Sequence, residues 1–283
     1  MKVADAMTPR SEVVTVEVPG TRDDALSYLQ ERRFSSLPVI KQGDGGEEFR
    51  GLVTREALIE NPDEDQLALL VEDVPTTTHD TSIEELAAMM VAEGARRVPV
   101  VDGTLEGIVT VTDVVRAIAY DDVPSEFEVG AYADRHVNST YRETPLAVAA
   151  QEIYYADEPY AVVLDDDGDM CGIITEVDIL DVAEVVQGET ETGDSIAGQD
   201  SDWMWEGIKA IGSRRISTRD VEFASGPVEE FMTGDVVTVS RVHTARETAQ
   251  LMLKHDVEQL PLIAGDTLSG MVYDMHLLEG LYE

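Results

Sequence analysis

Two tetrapeptides in this chain set a hydroxyl and a carboxylate three residues apart: Thr110-Val-Thr-Asp113 and Thr175-Glu-Val-Asp178. At the start of a helix such a pair can cap the exposed backbone N–H groups and offset the helix dipole, which needs no ligand. The same geometry can also bind one. The carboxylate can accept hydrogen bonds from the cis hydroxyls of a ribose, while the helix N-terminus offers its free N–H groups to a phosphate. Arg96 and Arg97 lie shortly upstream, and a guanidinium bonds phosphate bidentately while keeping its charge in any salt. Catalytic chemistry finds less support. The histidines at 79, 136, 243, 255 and 276 have no metal-ligand spacing and no accompanying Ser or Cys nucleophile. No Gly-rich phosphate loop occurs, which disfavours a phosphotransferase or dehydrogenase. The expectation is no catalytic residue and no metal ligand.

The elements that must position these residues recur four times. Each copy opens on a threonine, Thr21, Thr81, Thr144 or Thr244, followed by an amphipathic stretch. Ile83, Leu86, Ala87 and Met90 fall at i, i+3, i+4 and i+7, and Leu146, Ala149, Ala150 and Ile153 repeat the spacing. Each threonine is the expected N-cap, with Glu84 and Glu247 completing capping boxes and Pro145 at a first helical position. A proline then opens an apolar strand, at Pro38, Pro99, Pro159 and Pro261. A second short strand starts at Gly51, Gly107, Gly172 and Gly270, and a second helix follows. A short strand such as Val13 to Val16 or Val236 to Val239 leads each unit.

Composition narrows the setting. With 43% hydrophobic residues in 283, the chain can bury the cores of about two domains. The single cysteine, Cys171, has no partner for an internal disulfide, and with no apolar leader or spanning segment the expected location is the cytoplasm. Aspartate and glutamate number 58 against 20 lysines and arginines, a formal charge of −38 and a pI near 4.2. Such a surface repels nucleic acid and carries no basic stripe to bind it. Four lysines against sixteen arginines suit a halophilic archaeal cytosol, where the Debye length falls to about 3 Å at 1 M salt. An acidic mesophilic protein with a basic partner is the other reading.

The hydrophobic-Pro-Val strand followed by Gly-hydrophobic-hydrophobic-Thr-x-x-Asp resembles the CBS (cystathionine beta-synthase) domain, over nearly the whole chain. The resemblance implies an α/β fold of four tandem β-α-β-β-α repeats, at 1–62, 68–122, 129–186 and 227–283, with an acidic, Trp203- and Trp205-containing insert at 187–226. It implies pairing into two pseudo-twofold Bateman modules, roughly 1–120 and 125–283. Nucleotide-binding members place phosphate at the Thr and ribose at the Asp of Thr-x-x-Asp, here Thr110 with Asp113 and Thr175 with Asp178. Repeat one reads Thr54-Arg-Glu-Ala57 and repeat four Tyr273-Asp-Met-His276, so one competent site is expected in each module. Arg96 and Arg97 are the implied phosphate residues of the first, and repeat three has Ala156 and Asp157 at the matching distance from its proline. Arg135, Arg142 or Arg241 could serve the second. Ile108, Ile173, Val98 and Tyr160 are candidates for contact with a base, and Thr76, Thr77 and Ser139 complete the expected ligand set. AMP, ADP, ATP or S-adenosylmethionine are the implied ligands, with no catalytic cofactor. The implied role is regulatory, acting on a separate protein chain. A structural adaptor, in which Thr110 and Asp113 only cap helices, is the alternative. Four repeats could close into a disc within one chain, or two chains could pair.

Overall fold

The computed structural model describes residues 1–282 apart from 33, 44–45, 62–63, 188–218, 224 and 266. Trp203, Trp205 and the acidic part of the insert lie outside the described residues. The first two repeats contain α1 (Val3–Ala6), β1 (Thr8–Pro9), β2 (Val16–Glu17), α2 (Arg22–Arg32), β3 (Ser36–Gly43), β4 (Gly46–Thr54), α3 (Arg55–Glu60), α4 (Ile83–Glu93), β5 (Arg97–Asp102), β6 (Thr104–Thr110) and α5 (Val111–Ala119). The last two contain β7 (Ser139–Tyr141), α6 (Leu146–Ala156), β8 (Tyr160–Leu164), β9 (Met170–Thr175), α7 (Glu176–Asp181), β10 (Ala183–Gln187), β11 (Arg219–Phe223), β12 (Val239–Ser240), α8 (Ala245–His255), β13 (Gln259–Ala264), β14 (Thr267–Tyr273) and α9 (Asp274–Glu279). No helix among the described residues is long and apolar enough to cross a membrane.

Each repeat is a hairpin of antiparallel strands with a leading segment laid parallel to its first strand, and one pairing anchors all four: Val39 opposite Gly51, Val100 opposite Gly107, Val163 opposite Gly172 and Leu262 opposite Gly270. A register shift follows at the same place each time. This common register corrects one sequence alignment. Counting back from Val163 puts Val162, not Pro159, at the place of Pro99. Pro159 and Tyr160, not Ala156 and Asp157, are therefore the counterparts of Arg96 and Arg97. The proline of repeat three stands three residues earlier than the others, just ahead of its strand, which a sequence pattern anchored on proline cannot show.

The repeats are tied in pairs by exchange of the segments that precede them. Residues ahead of repeat one cross to repeat two, with Thr8 opposite Ile108 and Lys2 opposite Ser82. The return crossing sets Glu72 opposite Leu52 and Gln66 opposite Thr21. Repeats three and four do the same through Asp134 with Met271, Glu128 with Thr244, Thr233 with Ile173 and Pro227 with Pro145. The crossing explains the four strand glycines. A Cβ on Gly51, Gly107 or Gly270 would run into the crossing carbonyl of Glu72, Thr8 or Asp134, and one on Gly172 into Met232. It also moves one helix cap. The Thr81 carbonyl accepts the Val3 N–H at 2.9 Å, and the helix starts one residue later than expected, with Ser82 and Glu85 forming the capping box. Thr244 and Glu247 form theirs as expected. Pro145 is the N-cap of α6, a residue before the first helical position.

Two modules result, one of repeats one and two, the other of repeats three and four. They meet through the helices of repeats two and four, where α4 and α5 pack on α8 and α9. One apolar cluster runs through that contact, from Leu86, Met90, Val98 and Ile118 to Ala249, Met252, Leu262 and Leu277. Arg96 crosses the same boundary, giving two hydrogen bonds to Asp274, at 3.1 and 2.6 Å, and an ion pair to Glu258 at 3.0 Å. Repeats one and three keep separate clusters around Leu29 and Ile153.

Gly270→Ala should destabilise the chain by about 1–3 kcal/mol, the usual range for overpacking a tight contact. Gly234→Ala, with open space around its Cβ position and, like Gly270, no positive φ, controls for the general cost of a glycine-to-alanine change. Chemical denaturation of both variants checks this.

Candidate functional site

The strand register decides which side chains can act together, because opposed residues point to the same face. In repeat two Val98 and Val109 face each other and both are wholly buried. Val98 is therefore a core residue, on the face packed against the helices. The opposite face carries Arg97 across from Thr110 and Pro99 across from Ile108. This face is turned from the helices toward the sheet of repeat one, where β4 and β6 approach each other; the space between these two sheets is called the cleft below. Thr77 pairs with Val100 on the core side, where its hydroxyl is buried without a partner, so it too lies away from the cleft. Thr76, one residue earlier and exposed, falls on the cleft side. In repeat three Thr140 takes the place of Thr77, and exposed Ser139 that of Thr76.

The two Thr-x-x-Asp segments are complete capping boxes. Thr110 gives its N–H and its hydroxyl to the same Asp113 oxygen, at 2.9 and 2.8 Å, and accepts the Asp113 N–H. The other Asp113 oxygen accepts from Arg116 at 2.8 Å. Thr175 and Asp178 repeat the box, and there the second carboxylate oxygen has no hydrogen bond from a described residue. The fourth repeat substitutes an imidazole for the acid: the Tyr273 N–H donates to His276 Nδ1 at 3.2 Å.

The two arginines part company. Arg96, expected at a phosphate, is committed to Asp274 and Glu258 across the module boundary. Asp274 is only 4% exposed, and the pair leaves Arg96 no free fork. Arg97 is half-buried and has no hydrogen bond or ion pair to any described residue. Burial, and then the neighbouring Arg96, push its guanidinium below its usual range, with Glu258 opposing. It remains a cation at neutral pH, turned to the cleft and unpaired.

The second module is filled at the corresponding place. Tyr160, the counterpart of Arg97, is wholly buried, and its hydroxyl lies 2.9 Å from that of Tyr273, which donates to Glu158 at 3.1 Å. Burial is the chief cause pushing both phenols above their usual range. Tyr160, expected against a base, thus packs with Val162 and Met271 where the sheets of repeats three and four meet, and Ile173 packs alongside. Tyr160 matches Arg97 when repeat three is set on repeat two; when the modules are superposed in chain order, repeat three on repeat one and repeat four on repeat two, the places of Tyr160 and Tyr273 are taken by Ser36 and Thr110. Both are small, and the Ser36 hydroxyl is buried without a partner. The cations suggested for the second module are engaged or remote. Arg135 binds the carbonyls of Ser269 and Gly130, Arg142 lies 3.6 and 3.8 Å from Asp166 and Glu229, and Arg241 is exposed beside Gly130.

One grouping had no sequence signal. His79, Asp102 and Glu106 bring their ligand atoms within 4.8 Å of one another, although 27 residues separate His79 from Glu106. The hydrogen bond to Glu106 is the main cause raising the His79 pKa.

Comparison with known proteins agrees with the repeat. The CBS domain model matches residues 3–64, 68–120, 129–184 and 228–283. The chain belongs to the CBS domain family. An uncharacterized relative from Methanocaldococcus jannaschii is 23% identical over 279 residues, 98% of this chain and 61% of that one. A second, from the same organism, is 29% identical over 133 residues, 45% of this chain and 48% of its own. The chain thus spans about half to three fifths of the length of these two relatives. Among solved structures, an uncharacterized conserved protein from Pyrococcus horikoshii superposes with a TM-score of 0.70 at 27% identity, covering 99% of this chain and 100% of that one. These matches place all four repeats in one CBS architecture.

His276 supplies a pH test. Burial lowers its pKa, so the unfolded chain binds its proton more readily, and stability falls as pH drops through about 6.5. Protonation also removes the acceptor that caps α9. The stability difference between wild type and His276→Asn should therefore shrink from pH 8 to pH 5, measured by denaturation at each pH.

Proposed function

We propose that the chain is a regulatory ligand sensor that binds an adenine nucleotide or adenosyl compound in the cleft between repeats one and two. The observation that carries this reading is Arg97, a half-buried cation with no hydrogen bond or ion pair to a described residue, sharing one face with Thr110 and Ile108. A half-buried guanidinium is costly unless an anion meets it, and a phosphate offers the bidentate match. Thr110 and the start of α5 lie beside it for the phosphate, Asp113 offers its remaining lone pairs to the ribose, and Ile108 and Thr76 line the approach of the base. AMP, ADP and ATP fit this face better than S-adenosylmethionine, which brings no phosphate to Arg97.

The mechanism is a bias between placements of the modules. Arg96, the neighbour of Arg97, ties repeat two to repeat four through Asp274. A ligand drawing Arg97 and Thr110 together acts next to that tie, and any difference in affinity between two module placements shifts their populations. A separate protein chain in the cytoplasm would read the shift. The chain acts here as a sensor and not as an enzyme. An A-adding tRNA nucleotidyltransferase from Aquifex aeolicus matches over 126 residues, only 15% of its own length, which is the share expected of an accessory module.

A structural adaptor is the second reading, favoured by the fact that both Asp113 oxygens already accept hydrogen bonds within the chain, from Thr110 and from Arg116. Titration with AMP in molar KCl separates the two. Arg97→Ala should change stability little, because no hydrogen bond or ion pair to a described residue is lost, and should weaken AMP roughly 10- to 100-fold, the equivalent of about 1.5–3 kcal/mol for a hydrogen bond to a charged group. AMP, ADP and ATP all failing to bind the folded wild type would leave the adaptor.

A further inference from the structure

We propose that His79, Asp102 and Glu106 form a binding site for a divalent transition-metal ion, apart from the cleft. Their ligand atoms lie within 4.8 Å of one another, and His79 Nδ1 is 2.8 Å from Glu106 Oε2. Donors about 2.1 Å from a metal stand about 3 Å apart at right angles and about 4 Å apart when opposed. The three groups therefore need only side-chain rotations to close on an ion, and one of them, Asp102, is exposed.

The backbone holds all three in place without a metal. The His79 carbonyl accepts the Ala4 N–H at 3.0 Å, and the Glu106 carbonyl accepts the Arg10 N–H at 2.7 Å. Asp102 ends β5, opposite Thr104, at a hairpin turn whose Gly103 has φ +75°. The second imidazole nitrogen is also provided for. His79 Nε2 lies 3.3 Å from Asp80 Oδ2, and Lys2 fixes the other Asp80 oxygen at 2.6 Å. A metal-ligating histidine characteristically gives its remaining N–H to a carboxylate, which sets both the tautomer and the ring orientation. Here that outer carboxylate is in position, leaving Nδ1 for the ion.

One imidazole and two carboxylates favour Zn²⁺ or Mn²⁺ over Ca²⁺ and Mg²⁺, which prefer oxygen alone. Two carboxylates neutralise a divalent ion, and three protein ligands leave room for water. The bound ion would fasten the segment leading into α4 to the β5–β6 hairpin, next to the N-terminal segment that crosses from repeat one.

Calorimetric titration of the chelator-stripped full chain with ZnCl₂ in molar KCl tests this. One saturable site per chain is expected, weakened about tenfold or more by either His79→Ala or Asp102→Asn. Asp102 is exposed, so its variant keeps the fold if the histidine variant does not. His136→Ala, at a fully exposed histidine beside Asp134, should bind as wild type does. Equal binding by wild type and both cluster variants, or no saturable site, would overturn the proposal.

Discussion

Everything in this molecule depends on one crossing: the backbone ahead of each repeat runs over the second strand of its partner, at a place where only glycine leaves room. The crossing repeats at Gly51, Gly107, Gly172 and Gly270. Each repeat therefore completes the sheet of another, and a unit of about 55 residues, marginal alone, gains the buried surface of a pair. Because the crossing strand and the hairpin are both backbone-bonded, the cleft between two repeats has fixed walls. What the cleft can hold is then set by a few side chains on one face of each hairpin.

Those side chains make the two modules different despite their common plan. In the second, Tyr160 and Tyr273 meet across the cleft and share a hydrogen bond. In the first, the same places carry Ser36 and Thr110, and the nearby cation has no partner. The module with the two small hydroxyl residues is also the one joined, through Arg96, to the buried Asp274 of the other. An unpaired cation in one cleft thus sits one residue from the ionic contact that holds the modules together, an arrangement able to link occupancy to placement.

The repeat, its strand order and the capping tetrapeptides were legible in the sequence, because helix period, strand glycines and Thr-x-x-Asp are all local patterns. The site was legible only in part. Thr110 and Asp113 announced themselves, but nothing local distinguished Arg96 from Arg97, since the partner that engages Arg96 is 178 residues away. Pro159 misled for a related reason: a proline marks a strand entrance without fixing register, and register decides that Tyr160 and not Asp157 matches Arg97. Thr77 and Val98 were placed with the ligand because the sequence gives their neighbourhood but not their face. The grouping of His79 with Glu106 could not be read at all, as only the fold brings the hairpin beside the linker.

The most direct test is the number of nucleotides bound per chain, measured by calorimetric titration of the wild type with AMP in molar KCl and confirmed by the bound nucleotide recovered from saturated protein. The account predicts one, held by the first module while the tyrosine pair closes the second. Two per chain would contradict the role given to Tyr160 and Tyr273, and none would contradict the assignment of Arg97 to a phosphate.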